Sequence, residues 1–106
     1  MTKIETTPGC IQSAIDVLGS KWTGLLIREL ADSPKRFCEF ERAIPALNPR
    51  TLSKRLSELE AHDVIMRNEA TSYYELTTKG SDLIPVLRKM AEWGEKYPIE
   101  THAAIA

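Results

Sequence analysis

The sequence contains little that invites catalysis. It has no glycine-rich phosphate loop, no nucleophile elbow and no pair of carboxylates in a recognisable setting. No apolar run approaches the roughly 18 residues needed to span a bilayer, which excludes a membrane span of the helical kind. The opening MTKIETTPGC lacks an apolar h-region and a small-residue cleavage pattern, so no secretory signal is expected. Cysteine is scarce: Cys10 and Cys38 are too few for a disulfide framework, although a single bridge or a redox role stays open. Taken with His62 and His102, those cysteines show no metal-ligand spacing. The expectation is a cytoplasmic protein that is not an enzyme and has neither metal nor cofactor.

What is present fits one ordinary domain spanning residues 1–106, with ends near 1–8 and 99–106 expected to be disordered. There is no internal repeat, low-complexity tract or linker. Net charge is only −1, which argues against a general nucleic-acid coat, yet the charge is unevenly placed. Between Pro34 and Arg55 six bases (Lys35, Arg36, Arg42, Arg50, Lys54, Arg55) face two acids (Glu39, Glu41), a local +4 on a chain whose remainder carries −5. A basic face on an acidic body binds a polyanion in one orientation while the rest of the surface repels it.

Periodicity divides the chain into short elements. Ile11, Ala14, Ile15 and Leu18 recur at helical spacing, and Gly19 can close that helix in the left-handed conformation. Ser20 is a candidate N-cap for a second helix carrying Trp22, Leu25, Leu26, Ile27 and Leu30, stopped by Ser33-Pro34. Phe37, Phe40 and Ile44 mark a short third helix ended by Pro45. Asn48 is a preferred N-cap and Pro49 suits the first position of a fourth helix reaching about Ala61. Val64 to Arg67, a polar link from Asn68 to Ser72, and Tyr73 to Leu76 read as a small β-hairpin. Thr77 or Thr78 can cap a last long helix to about Tyr97, kinked at Pro85 unless the helix restarts at Asp82 with that proline in its first turn. The order is α-α-α-α-β-β-α, a mainly α domain with one hairpin.

The fourth helix carries the chemistry. At about 100° per residue, Leu52, Leu56 and Leu59 form one narrow stripe. Arg50, Lys54 and Ser57 lie opposite, with Thr51 and Ser53 at the flanks. The first two turns of that free side offer guanidinium, ammonium and hydroxyl groups, with no carboxylate before Glu58. An arginine can bond both acceptors of guanine in the major groove, hydroxyls reach phosphates or base edges, and amides at a helix start can hold a phosphate. The charge order runs against the helix dipole, a small cost that a merely solvated helix has no reason to bear. With the short helix before it, the tight connection Pro45-Ala46-Leu47-Asn48 and the hairpin after it, the segment makes a helix-turn-helix with a wing.

With RFCEFERAIPALNPRTLSKRLSELE in place, the chain resembles the HxlR-type transcriptional regulators, small dimeric winged-helix proteins. The resemblance also runs through Cys10, Leu18-Gly19-Ser20-Lys21-Trp22, Tyr74-Glu75-Leu76-Thr77 and Leu83-Ile84-Pro85-Val86-Leu87. It implies that the helix from Pro49 to Ala61 enters the major groove, that the hairpin is the wing, and that the first and last helices pair two subunits. Some members sense oxidants or electrophiles through the cysteine matching Cys10. The chain departs from the family pattern at Ile11, where a proline usually follows the cysteine, and at Ala46 and Asp63, where glycines are usual. Its wing is short, with Glu69 at the tip and only Arg67 positive at the base, so it is expected to touch no more than a phosphate.

The last helix spreads Leu83, Ile84, Val86, Leu87, Met90, Ala91, Trp93 and Tyr97 over about half its circumference, wide for one packing face. A homodimer interface of Ile11, Ile15, Leu87, Met90, Trp93 and Tyr97 is therefore expected, presenting two reading helices about 34 Å apart along double-stranded DNA. Cys10 and Cys38 both fall near helix starts, a setting that favours the reactive thiolate, and are the candidate thiols for an oxidant or small-molecule effector. The DNA-contacting set is Arg50, Thr51, Ser53, Lys54 and Ser57 in the groove, with Lys35, Arg36 and Arg67 on phosphates. The competing reading, suggested by the acidic wing, is a winged-helix protein-interaction module that does not bind DNA.

Overall fold

The computed structural model describes residues 8–99, so the ends expected to be disordered lie almost wholly outside the described residues. The elements are α1 (Pro8–Leu18), α2 (Thr23–Asp32), α3 (Phe37–Ala43), α4 (Pro49–Ala61), β1 (Ile65–Arg67), β2 (Tyr74–Leu76), α5 (Thr78–Ser81) and α6 (Ile84–Lys96). Among the described residues no helix is long and apolar enough to cross a membrane. The fold is a winged helix: three helices α2, α3 and α4 close on one core and a two-stranded antiparallel hairpin follows.

The core is built from the positions that periodicity selects. Leu26, Ile27 and Leu30 of α2 meet Phe40 and Ile44 around α3, Leu47 in the connection, and Leu52, Leu56 and Leu59 of α4, with Val64 and Ile65 closing the end. Each of these side chains removes on the order of 1.5–3 kcal/mol of unfavourable hydration when fully buried. The hairpin pairs Ile65 with Leu76, Met66 with Glu75 and Arg67 with Tyr74. Because side chains alternate along a strand, Met66 and Glu75 share the exposed outer face while Ile65, Arg67, Tyr74 and Leu76 share the other. Lys35 adds a third, one-residue rung: its N–H donates to the Tyr74 carbonyl at 3.0 Å and its carbonyl accepts from the Tyr74 N–H at 2.7 Å.

Two expectations are corrected and one open alternative is decided. The second helix begins at Thr23 after Trp22, not at a Ser20 cap; Ser20 lies in the preceding turn, where its carbonyl accepts from the Thr23 N–H at 3.4 Å. Gly19 is not left-handed, since no described glycine has positive φ. Its missing side chain answers a close approach instead, for a Cβ there would sit 2.6 Å from the Ile15 carbonyl oxygen. For the last helix the restart holds and the kink does not: Thr77 Oγ1 accepts from the Gly80 N–H at 3.1 Å and caps the short α5, and α6 starts afresh at Ile84 with Pro85 in its first turn. A proline in the first turn gives up no intrahelical bond, whereas the same ring in mid-helix would clash with the turn before it.

The junction after α4 is held tightly. Asp63 has φ 60° and its carbonyl accepts from Thr77 Oγ1 at 2.5 Å. Gly80 packs on the Val64 carbonyl so closely that any side chain would collide with it. A left-handed residue with a Cβ carries a conformational penalty that glycine escapes. Asp63→Gly is therefore expected to stabilise the fold by roughly 0.5–1 kcal/mol, read as a higher urea midpoint at unchanged slope.

Candidate nucleic-acid interface

The local sequence sets α4 in a defined pose. Asn48 Oδ1 accepts from the backbone N–H of Arg50 at 2.7 Å and of Thr51 at 3.3 Å, and Pro49 follows as the first helical residue. Two of the amides that sequence reasoning offered to a phosphate are thus already satisfied by the cap. Asn48→Ala leaves both without that partner and is expected to lower stability by about 1 kcal/mol, measured by thermal or urea denaturation of the free protein.

With Leu52, Leu56 and Leu59 buried, Arg50, Ser53, Lys54 and Ser57 stand exposed on the other side, and Thr51 is half-buried at the flank. Among the described residues neither Arg50 nor Lys54 makes an ion pair. Arg55 differs: its Nη1 lies 3.0 Å from Glu58 Oε1 and its side chain is largely covered, so it belongs to the scaffold. The positive side of the helix is therefore confined to its first two turns.

The residues expected on phosphates fall into two kinds. Arg36 is exposed and its guanidinium stacks over the Tyr73 ring, 4.7 Å from the centroid, an arrangement that no local sequence pattern announces. Arg67 at the base of the wing donates from Nη2 to Ser72 Oγ at 3.3 Å. Lys35 is turned the other way. Its Nζ donates to the Ser33 hydroxyl at 2.8 Å and to the carbonyls of Glu29 at 3.2 Å and Ser33 at 3.3 Å, satisfying the exposed end of α2.

The wing is short and internally tied. Asn68 Oδ1 accepts from the N–H groups of Ala70 and Thr71 at 2.9 and 3.2 Å, and Ser72, at φ 65°, donates its N–H to the Asn68 carbonyl at 2.7 Å. Glu69 is exposed within this turn. Between the hairpin, the start of α3 and the end of α4 lies an open cleft of about 630 Å³ lined by Arg36, Phe37, Cys38, Glu60, Arg67, Ser72 and Tyr74. Burial pushes the Tyr74 hydroxyl above its ordinary titration range, the Glu60 charge adds to that and Arg67 opposes it, so the phenol remains a hydrogen-bond donor at neutral pH.

Of the two thiols, Cys38 is exposed, and Arg42 Nη2, one helical turn on, donates to its Sγ at 3.8 Å. The helix-start reading of Cys38 leaves Arg42 out, although the i, i+4 spacing within α3 contains it. Cys10 lies in the first turn of α1, with its side chain outside the described residues. Of the residues expected at a pairing surface, Ile11, Ile15, Met90, Trp93 and Tyr97 are all exposed, and Val86 joins them. Leu87 does not: it is half-buried, packs against the core and faces Gly24 of α2.

This chain matches the HxlR-like helix-turn-helix family over residues 17–102. It is 40% identical over 95 residues to the HTH-type transcriptional regulator YdeP of Bacillus subtilis (strain 168), an alignment covering 84% of this chain and 74% of YdeP. Its fold superposes on the quinone-bound YodB of B. subtilis with a TM-score of 0.77 at 37% identity, covering 84% of this chain and 99% of the other. It superposes on the oxidised form of the redox regulator HypR with a TM-score of 0.75 at 36% identity, covering 84% and 97%. A free basic face on a capped helix, a wing beside it and these likenesses agree, and the chain belongs to the HxlR-like helix-turn-helix family of DNA-binding transcriptional regulators.

Proposed function

We propose that two copies pair through α1 and α6 and set both α4 helices into successive major grooves of a roughly palindromic operator, with Arg50, Thr51, Ser53, Lys54 and Ser57 facing the bases. The observation that carries this reading is the exposed side of α4, where Arg50, Ser53, Lys54 and Ser57 stand free of carboxylates over the first two turns. Arg36 and Arg67 reach backbone phosphates from either side of the cleft. Lys35 adds positive charge near them while its protons stay on the end of α2. A two-fold pair places its reading helices about one helical turn of DNA apart, which matches a palindrome by symmetry.

The operator affinity responds to oxidants or electrophiles. The support is the position of Cys10 at the start of a helix that the pairing uses, the exposed Cys38 beside Arg42, and relatives solved with a quinone bound or in an oxidised form. Glu69 in the wing supports the second reading, a module that binds protein instead of DNA.

The deciding experiment is fluorescence anisotropy against DNA upstream of the gene itself and its neighbours, with random DNA as competitor, at two salt concentrations. Affinity that survives the competitor and falls steeply with salt, as counterion release from contacted phosphates requires, supports the regulator. Absence of binding by both the reduced and the oxidised protein would favour the interaction module. Cys10→Ser is expected to abolish any oxidant response.

A further inference from the structure

We infer that a second copy of this chain brings a helix backbone against α6 at Gly94, so that this glycine is kept for the partner and not for its own fold. The inference rests on the proposed pairing through α1 and α6 and adds its point of closest approach.

Glycine is the least favourable helix residue after proline, so one inside a helix calls for a reason. Elsewhere the chain supplies it. A side chain at Gly19 or Gly80 would run into the carbonyl of Ile15 or Val64, and one at Gly24 would rest on Leu87. At Gly94, inside α6, a Cβ would meet nothing within 4 Å among the described residues, and φ is not positive. Nothing described in the fold of one copy requires the side chain to be missing there.

The surroundings point to what does. Met90, Trp93 and Tyr97 flank Gly94 and are 52%, 64% and 54% exposed, an apolar set that few surface helices leave in water. Trp93 and Tyr97 already touch, ring centroids 5.4 Å apart, so they present a formed surface and lose little side-chain freedom on docking. Met90 also borders a trough between α2 and α6, which extends the surface beyond the single helix. The occupant is a second copy because α1 carries its own exposed apolar pair, Ile11 and Ile15. One two-fold operation covers both helices of both copies, whereas a different protein would have to match two separate stripes. Two helix backbones approach most closely where one of them has no Cβ.

The test is sedimentation of the full chain across a dilution series for wild type, Gly94→Ala, Gly94→Leu and Trp93→Ala, with far-UV circular dichroism to check the fold. Gly94→Leu is expected to raise the dimer dissociation constant about tenfold or more, equivalent to about 1.4 kcal/mol, with helix content unchanged. Gly94→Ala is expected to weaken the dimer in the same direction although alanine favours the helix. If wild type dimerises, Trp93→Ala weakens it, and both Gly94 variants pair as wild type does, the contact at Gly94 is wrong and the pairing surface stands. If wild type sediments as a monomer throughout and Trp93→Ala changes nothing, the pairing itself fails and the inference falls with it.

Discussion

Arg50→Ala is expected to remove about 1–3 kcal/mol of discrimination at one base pair in each half-site while leaving affinity for random DNA nearly unchanged. The residue stands in the first turn of α4, where Asn48 Oδ1 accepts from its amide and Pro49 restricts the backbone before it. Its position is therefore settled before DNA arrives. Its guanidinium makes no ion pair among the described residues, so binding a guanine edge breaks no existing partner. Two parallel N–H donors match the two acceptors that only guanine shows in the major groove, whereas a phosphate contact carries no sequence information. Anisotropy titrations of operator DNA, single-base variants and random DNA separate these roles. An equal loss on all of them would make Arg50 a backbone contact.

Phe40→Ala carries the largest expected loss of stability, about 3–5 kcal/mol, a large share of the total for a domain of this size. The ring is fully buried and meets the Tyr74 ring edge-on, with centroids 6.2 Å apart at 64°. Removing it opens a cavity where α3, the α2 core residues and the hairpin converge, so the loss includes the packing of the neighbours and not only the transfer of one ring. Urea denaturation should show a lower midpoint with little change in slope. A loss under about 1 kcal/mol would mean that the site collapses over the gap, and with it that α3 and the wing are not rigidly packed.

The legible parts of this protein are those ruled by local chemistry. Asn48-Pro49 announces the start of α4, and the leucine stripe assigns its two sides, because cap and stripe each depend on residues within a turn or two. The same rules misplaced the start of α2: Ser20 is a good cap in isolation, but the turn through Lys21 and Trp22 intervenes. Contacts made across the chain were invisible. Nothing near Lys35 signals a bridge to Tyr74, and nothing near Arg36 signals the ring of Tyr73. On α6 the breadth of the apolar stripe was apparent, yet periodicity alone could not say that Leu87 turns toward Gly24 while Val86 faces out. That division depends on where α2 lies.

The double hold on Lys35 works as a rivet. Its ammonium grips the end of α2 and its backbone is bonded in both directions to Tyr74, so the wing cannot swing relative to α2 without breaking one of the two attachments. Since α6 packs on α2, a push delivered to α6 is transmitted to the whole reading head as a rigid lever. In the proposed dimer, a signal would then adjust the spacing and tilt of two heads on one duplex, with the shape of each head left unchanged.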